Sequence, residues 1–239
     1  MDILNCVIAK KLSGGGGMNE ADLEGLYMTS PNGTLWEINV ADDGGVTAKD
    51  PSKAFALIDR TISGHVSDKE LTEIGGYAFN GCMAIKSVEF PAVTTVGNGA
   101  FGYCSALTSV DLPAVTSIGA SAFSGCEALT SVAFPAVTTV GNSAFSYCPA
   151  LTSVDLPAVT NLGESVFYDC YALTSLVLRS DTVCALAWGY LGDSFAEGKG
   201  YIYVPAALVD TYIADASWNR YASQIRAIED YPNIVGGEV

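Results

Sequence analysis

Positive charge is nearly missing from the middle of this sequence. From Cys82 to Leu178 the one basic residue is Lys86, set against Glu89, Asp111, Glu127, Asp155, Glu164 and Asp169, and the whole chain of 239 residues carries a formal net charge of −15. Phosphate backbones and anionic headgroups need clustered Lys or Arg to replace their counterions, so nucleic acid and electrostatic membrane binding are excluded as expectations. Charge of either sign is scarce, at 15% of residues against roughly a quarter in an average soluble chain. Gly, Ser, Thr and Ala stand where charges would normally be.

Other absences narrow the chemistry. No apolar run approaches the roughly 20 residues that span a bilayer, so no transmembrane helix is expected. The apolar opening MDILNCVIAKKL has its basic pair, Lys10 and Lys11, after the apolar stretch and no small-residue cleavage site behind it, which is the wrong order for a secretory leader. That order leaves three readings of location: a leader missing from this chain, cytoplasmic residence, or leaderless export. Histidine occurs once, at His65, so a zinc site or a Ser-His or Cys-His nucleophile has almost nothing to be built from. Neither a G-x-x-x-x-G-K-S/T loop nor a G-x-S-x-G elbow is present, and Gly97-Asn98-Gly99 belongs to a repeated turn.

What the sequence does have is a period. Phe79, Phe101, Phe123, Phe145 and Phe167 fall 22 residues apart, and Cys82, Cys104, Cys126, Cys148 and Cys170 keep the same step. So do Ile85, Leu107, Leu129, Leu151 and Leu173; Val88, Val110, Val132, Val154 and Leu176; Phe90, Leu112, Phe134, Leu156 and Leu178; and Ile74, Val96, Ile118, Val140 and Leu162. Pro91, Pro113, Pro135 and Pro157 follow the third of these columns. A fixed period of this length marks a solenoid in which no unit can bury its apolar face alone. A finer grain is visible, because PAVTTVGNGAFGYC and PAVTTVGNSAFSYC resemble each other more than either resembles the intervening PAVTSIGASAFSGC, which makes a second period of 44.

Within one unit, Val110 and Leu112 alternate with Ser109 and Asp111 as in a half-buried strand, and the following proline ends it. Val115 and Ile118 return the chain across the core, Gly119 is read as permitting a tight turn, and Ala122-Phe123 with Cys126 fit a short helical turn. The fold expected is therefore an α/β solenoid: a right-handed superhelix of 22-residue coils, each contributing one short parallel strand, with terminal caps. Strands stacked at about 4.8 Å would build one continuous core with a Phe ladder and a Cys ladder.

These columns resemble the BspA-type leucine-rich repeats of bacterial surface proteins. The resemblance rests on L-x-x-V-x-L-P, on I/V-G-x-x-A-F and on the Cys three residues after the Phe, and it covers residues 71–178. It implies a repeat surface displayed for binding, at the cell surface or outside the cell. Gly200–Asp230 is similar to the closing segment of that family, a strand ending at Val204-Pro205 and then a helix with Leu208, Val209, Tyr212 and Ile213 on its apolar face.

The organisation expected is a short helix and Gly linker over 1–17, a small β-rich module or cap over 18–70, five coils over 71–178 and a capping segment over 179–239. Residues 3–12 fit an amphipathic helix, with Ile3, Leu4, Val7 and Ile8 on one side, ahead of Gly14 to Gly17. This is read as a frayed or swapped tail, or else as a docking peptide. Gly25 to Thr47 reads as two strands with turn signals at Pro31-Asn32-Gly33 and Asp42 to Gly45. It has a loose likeness to modules that open phage tail or fibre proteins, and it could equally cap the solenoid.

No cofactor and no metal are expected. The repeated cysteines read as core thiols: adjacent coils bring them within reach, but parallel side chains rarely attain a disulfide dihedral, and an odd total of seven argues against a disulfide scaffold. Glu89 and Asp111, on neighbouring strands, have the separation of paired carboxylates, but an exposed sheet lacks the enclosure that acid-base chemistry needs. Tyr103, Tyr147 and Tyr168 fall on the turn side beside the Phe column. Core packing is the favoured reading there, and a second contact patch the alternative.

The candidate binding surface is the outward strand face: Ser87, Glu89, Ser109, Asp111, Ser131, Ser153, Asp155 and Ser175, with Ala133 and Val177 completing the rows. It reads as small and polar, with little of the aromatic material that anchors interfaces. The function expected is a non-catalytic binding or display module with a protein partner. The alternative is a structural fibre or phage-derived component that oligomerises through residues 1–50.

Overall fold

A computed structural model describes residues 27–29, 35–40, 46–49, 63–192, 195 and 198–234. From residue 63 onward the chain winds into stacked coils, and each coil supplies two parallel strands where one was expected. The first ladder is made of Ser63–Ser67, Ala84–Glu89 and Ser109–Asp111, then of Ser131–Ala133, Ser153–Asp155, Ser175–Val177, Tyr201–Val204 and Ile225–Ala227. The second runs without a break through Glu73–Ile74, Thr95–Val96, Ser117–Ile118, Thr139–Val140, Asn161–Leu162 and Ala185–Leu186. Two residues per strand are too few to show an alternation, which is why the second ladder is invisible in the sequence. The pairing extends beyond the five coils read from the repeat, onto Ser63–Ser67 at one end and two further strands at the other.

In register, Val88 pairs with Val110 and Val132 with Val154, so each apolar column turns inward together. The first ladder is interrupted between Ser109–Asp111 and Ser131–Ala133. There Ala128 N–H donates to Ser105 O, and Val110 is only partly buried where Val88, Val132 and Val154 are buried.

The interior is the set of periodic columns. The Phe rings stack nearly parallel, Phe79 on Phe101 at 5.0 Å and 1°, Phe101 on Phe123 at 5.2 Å and 8°, Phe123 on Phe145 at 5.3 Å and 3°. Each thiol below them is more than filler. Cys104, Cys126, Cys148 and Cys170 donate from Sγ to the carbonyls of Phe79, Phe101, Phe123 and Phe145 on the coil before, at 2.9 to 3.3 Å. Buried carbonyls need partners, and the Cys column supplies them. Cys82, Cys104, Cys126, Cys148, Cys170 and Cys184 are buried, and burial pushes the Cys104 and Cys184 thiols up to about 12.

Two threonine columns finish the corners. Thr94, Thr116, Thr138 and Thr160 each donate from Oγ1 to the carbonyl of the Thr one coil earlier. Thr108, Thr152 and Thr174 do the same at the other corner, to Lys86, Thr130 and Thr152.

The convex side is a run of 3-10-type turns. Ala100, Gly102 and Cys104 donate to Gly97, Gly99 and Phe101, while the alternate amides of Gly99, Phe101 and Tyr103 donate to Ala120, Ala122 and Ser124 of the next coil. Two columns on this side take left-handed backbone: Tyr77, Gly99, Ser121, Ser143 and Ser165, and Gly81, Tyr103, Gly125, Tyr147 and Asp169. The repeated glycine read as a tight turn has a different reason. Gly97, Gly119, Gly141 and Gly163 have ordinary φ, but a β-carbon on any of them would stand 2.5 to 2.6 Å from the nearest backbone nitrogen of the preceding coil. They are glycine because the coils touch there.

The 44-residue period also has a cause. Asn98 Oδ1 accepts from Ala120 N–H and Asn142 Oδ1 from Glu164 N–H, so an Asn coil alternates with a coil that receives its side chain. Likewise the Tyr103 ring lies where a β-carbon on Gly125 would be, at 2.8 Å. Gly125 makes room for the Tyr103 ring, whereas Tyr147 is followed in the same column by Asp169.

The C-terminal end is closed by aromatic side chains that also satisfy the last coil's backbone. Tyr212 Oη accepts from Cys184 N–H at 2.9 Å, Trp218 Nε1–H donates to Cys184 O at 2.6 Å, and Tyr221 Oη accepts from Leu191 N–H at 2.8 Å. Their rings meet edge to face. The helix Val209–Ala214 buries Tyr212 alone, with Leu208 and Val209 half-buried against the core and Ile213 exposed, so its apolar face is narrower than the sequence suggests. Upstream, Tyr27–Thr29, Leu35–Val40 and Val46–Lys49 form three antiparallel strands in place of the two expected. The expected helix over 3–12, the linker Gly14 to Gly17 and the two turn signals lie outside the described residues.

Candidate functional site

The outward positions of the first ladder form two rows. One reads His65, Ser87, Ser109, then Ser131, Ser153, Ser175 and Tyr201; the other reads Ser67, Glu89, Asp111, then Ala133, Asp155, Val177, Tyr203 and Arg226. Ladder register brings every candidate residue onto one face. Ser109, Asp111 and Ser131 are exposed, and Ser87, Glu89, Ser153, Asp155 and Ser175 are half-buried.

At the N-terminal end His65 Nδ1 lies 2.8 Å from Ser87 Oγ and its Nε2 lies 3.7 Å from Glu89 Oε2. The three residue types are those of a hydrolytic triad. The carboxylate is beyond hydrogen-bond distance, and the imidazole and carboxylate are nearly half in water. Among the described residues nothing encloses this group, excludes solvent from it or stabilises an oxyanion. Among the described residues no group of three or more His, Cys, Asp or Glu is placed to hold a metal ion, and no helix is long and apolar enough to cross a membrane.

In the middle of the rows Asp155 accepts from Arg179 Nη1, at 2.9 Å to each carboxylate oxygen. Burial raises the Asp155 carboxyl and the guanidinium offsets part of that rise. Arg179, two residues after the strand Ser175–Val177, reaches back to the previous coil and neutralises one acid of the row.

The C-terminal end corrects the view of this face as poor in anchors. Val177, Tyr203 and Ile228 form a second apolar cluster with Ile234 against it. Tyr231 meets Tyr203 edge to face at 5.3 Å, and Arg226 sits 4.6 Å over the Tyr201 ring. Tyr201 and Tyr231 remain exposed. Burial, then the neighbouring Tyr231 and Tyr201, raise the Tyr203 hydroxyl. The signal was in the sequence, as the strand YIYV with its two tyrosines in the outward rows, but YIYV breaks the 22-residue column pattern and only the pairing with Ser175–Val177 reveals that it continues the face.

On the opposite side Tyr103 and Tyr147 are not core packing. Each keeps half or more of its surface in solvent, while Tyr168 is half-buried with its ring edge-on to Tyr147 at 5.5 Å.

No curated protein sequence matches the chain. Among solved structures it is similar to a leucine rich cell surface protein from Faecalibacterium prausnitzii A2-165, at 27% identity and a TM-score of 0.48, over 66% of this chain and 40% of that one. A leucine-rich repeat protein from Bacteroides ovatus ATCC 8483 aligns at 22% identity and 0.40, over 71% and 53%. The pneumococcal vaccine antigen PcpA aligns at 18% identity and 0.58, over 77% and 45%, a likeness of fold. The chain thus spans about half, or less, of these proteins. The family described as BspA type Leucine rich repeat region matches residues 51–183 in six copies. Its repeats are typical of protein-interaction and surface-adhesion modules, and leucine-rich solenoids are in general non-catalytic. With the same Phe, Cys and Leu buried in coil after coil and that match covering more than half its length, this chain belongs to the BspA-type leucine-rich repeat family.

Proposed function

We propose that this chain is a non-catalytic display module that binds a protein partner across the outward face of its first ladder, through Ser87, Glu89, Ser109, Asp111, Ser131, Ser153, Asp155 and Ser175. The observation that carries the reading is the register of the rows beyond the break in the ladder: from Ser131–Ala133 onward the serine row runs in unbroken pairing to Tyr201 and the acidic row to Tyr203 and Arg226. Binding energy concentrates in Tyr, Trp and Arg anchors ringed by weaker polar contacts, and this face has both parts. Glu89 and Asp111 select a partner segment bearing Lys or Arg and raise its association rate.

The experiment is site-specific photo-crosslinking of the full chain in its source cells, with the photoreactive residue at Ser109, at Ser153 or, on the opposite side, at Ser121. The expected result is one shared protein adduct from Ser109 and Ser153, lost from Ser121 and weakened by Tyr201→Ala. Equal adducts from Ser121, or different ones from Ser109 and Ser153, would count against the reading.

A further inference from the structure

We propose that the convex side of the coils is a second binding surface, on which Tyr103 and Tyr147 stack an extended, uncharged, β-linked polysaccharide. Four aromatic residues of the described chain hold left-handed backbone: Tyr77 at φ 59°, Tyr103 at 60°, Tyr147 at 58° and Trp188 at 56°. That conformation costs a side-chain-bearing residue about 1–2 kcal/mol, and bulky residues rarely adopt it. Glycine avoids the cost, and the same column uses glycine at Gly81 and Gly125.

Packing repays only part of the strain: the Tyr77 and Tyr103 rings lie over Gly99 and Gly125 of the next coil and the Tyr147 ring meets Tyr168 edge to face, yet each keeps a wide face in water. Tyr77 is 68% exposed, Tyr103 59%, Tyr147 50% and Trp188 87%. A bulky aromatic that strains the backbone and buries little is explained by what it presents to solvent.

Spacing and surroundings select the ligand. Tyr103 and Tyr147 share a column two coils apart. The core rings beneath step by 5.2 and 5.3 Å, which puts the tyrosines roughly 10 Å apart along the solenoid. That distance is close to the length of one disaccharide in an extended β-linked chain. Between the two rings the column holds Gly125, so no side chain of that column projects between them. Protein hot spots are contiguous and closely packed, whereas two exposed rings set two coils apart fit a chain of pyranoses, each offering a C–H face to stack and hydroxyls for neighbours such as the exposed Asn98 and Asn142. Charge excludes anionic glycans: Glu127, Glu164 and Asp169 lie on these coils, and from Cys82 to Leu178 Lys86 is the one base.

The test is affinity electrophoresis of the full chain in native gels containing hydroxyethyl cellulose, glucomannan or β-1,4-xylan, with polygalacturonate as the anionic control. The chain is expected to be retarded by at least one neutral polymer and not by polygalacturonate. The Tyr103→Gly/Tyr147→Gly variant is expected to lose at least about tenfold in affinity. Its thermal midpoint should be unchanged or raised, because glycine relieves the backbone. The proposal is overturned if no neutral polymer retards the chain, if polygalacturonate does so equally, if the double variant binds as well as the parent, or if its midpoint falls.

Discussion

A β-carbon placed on Gly119 would stand 2.6 Å from the backbone nitrogen of Asn98 on the preceding coil. Two residues away, Ser121 holds a left-handed φ of 54°. Substitutions at these two positions should therefore act in opposite senses. Gly119→Ala forces adjacent coils apart and is expected to destabilise by about 1–3 kcal/mol, as overpacking does elsewhere. Ser121→Gly should be neutral or slightly stabilising, because it removes the strain of a β-carbon at positive φ. Urea denaturation of the two variants measures both; a Gly119→Ala midpoint equal to the parent's would refute the close approach between coils.

How much of this was legible follows from the period. Columns such as Phe101 and Phe123, or Cys104 and Cys126, repeat because each must fill the same inward space, so their burial could be read from spacing alone. Gly119 repeats just as strictly, yet sequence cannot tell a glycine needed for its φ from one needed for its missing β-carbon. Tyr103 and Gly125 look like unrelated variation until the coils are stacked. Tyr212, Trp218 and Tyr221 occur once each, and their role depends on backbone groups of Cys184 and Leu191 that no periodicity announces. The Tyr201 and Tyr203 end of the candidate face was missed for the same reason.

The two-coil period makes a prediction about deletions. Removing residues 105–126, one coil, would stack Tyr103 on Tyr147 and Asn98 on Asn142. Removing residues 105–148, two coils, would stack Tyr103 on Asp169 and Asn98 on Glu164, which repeats the native neighbours of Tyr147 and Asn142. The longer deletion should keep a cooperative unfolding transition and the shorter one should broaden or lose it, although a solenoid's stability ordinarily rises with coil number. Circular dichroism melts of the two proteins decide it, and a more stable one-coil deletion would show that coils are interchangeable.

The buried thiols set the response to alkali. Burial holds Cys104 in its protonated form up to about 12, against an ordinary value of 9.0. Between those values the unfolded chain loses the thiol proton and the folded chain keeps it, so stability is complete below pH 9 and falls as pH rises toward 12. Each such thiol contributes a slope of about 1.4 kcal/mol per pH unit in that window. Urea midpoints measured from pH 8 to 10.5 should decline, and Cys104→Ala should decline less steeply from a lower starting value. Equal slopes would mean that this thiol titrates alike in both states.

The cap offers the sharpest separation of packing from hydrogen bonding. Tyr212→Phe and Tyr221→Phe keep the edge-to-face ring contacts and remove only the hydroxyls that accept from Cys184 and Leu191 N–H. Both amides lie inside, where water cannot replace the lost partner, so each substitution is expected to cost about 1–3 kcal/mol. An exposed tyrosine of the same chain serves as the control, and Tyr77→Phe should change nothing. Hydrogen exchange locates the effect: the Cys184 amide should lose protection in Tyr212→Phe and the Leu191 amide in Tyr221→Phe, each without the other. Loss of both amides in either variant would mean that the cap opens as one unit, and the hydroxyls would then be contributing to closure of the whole end instead of to two separate bonds.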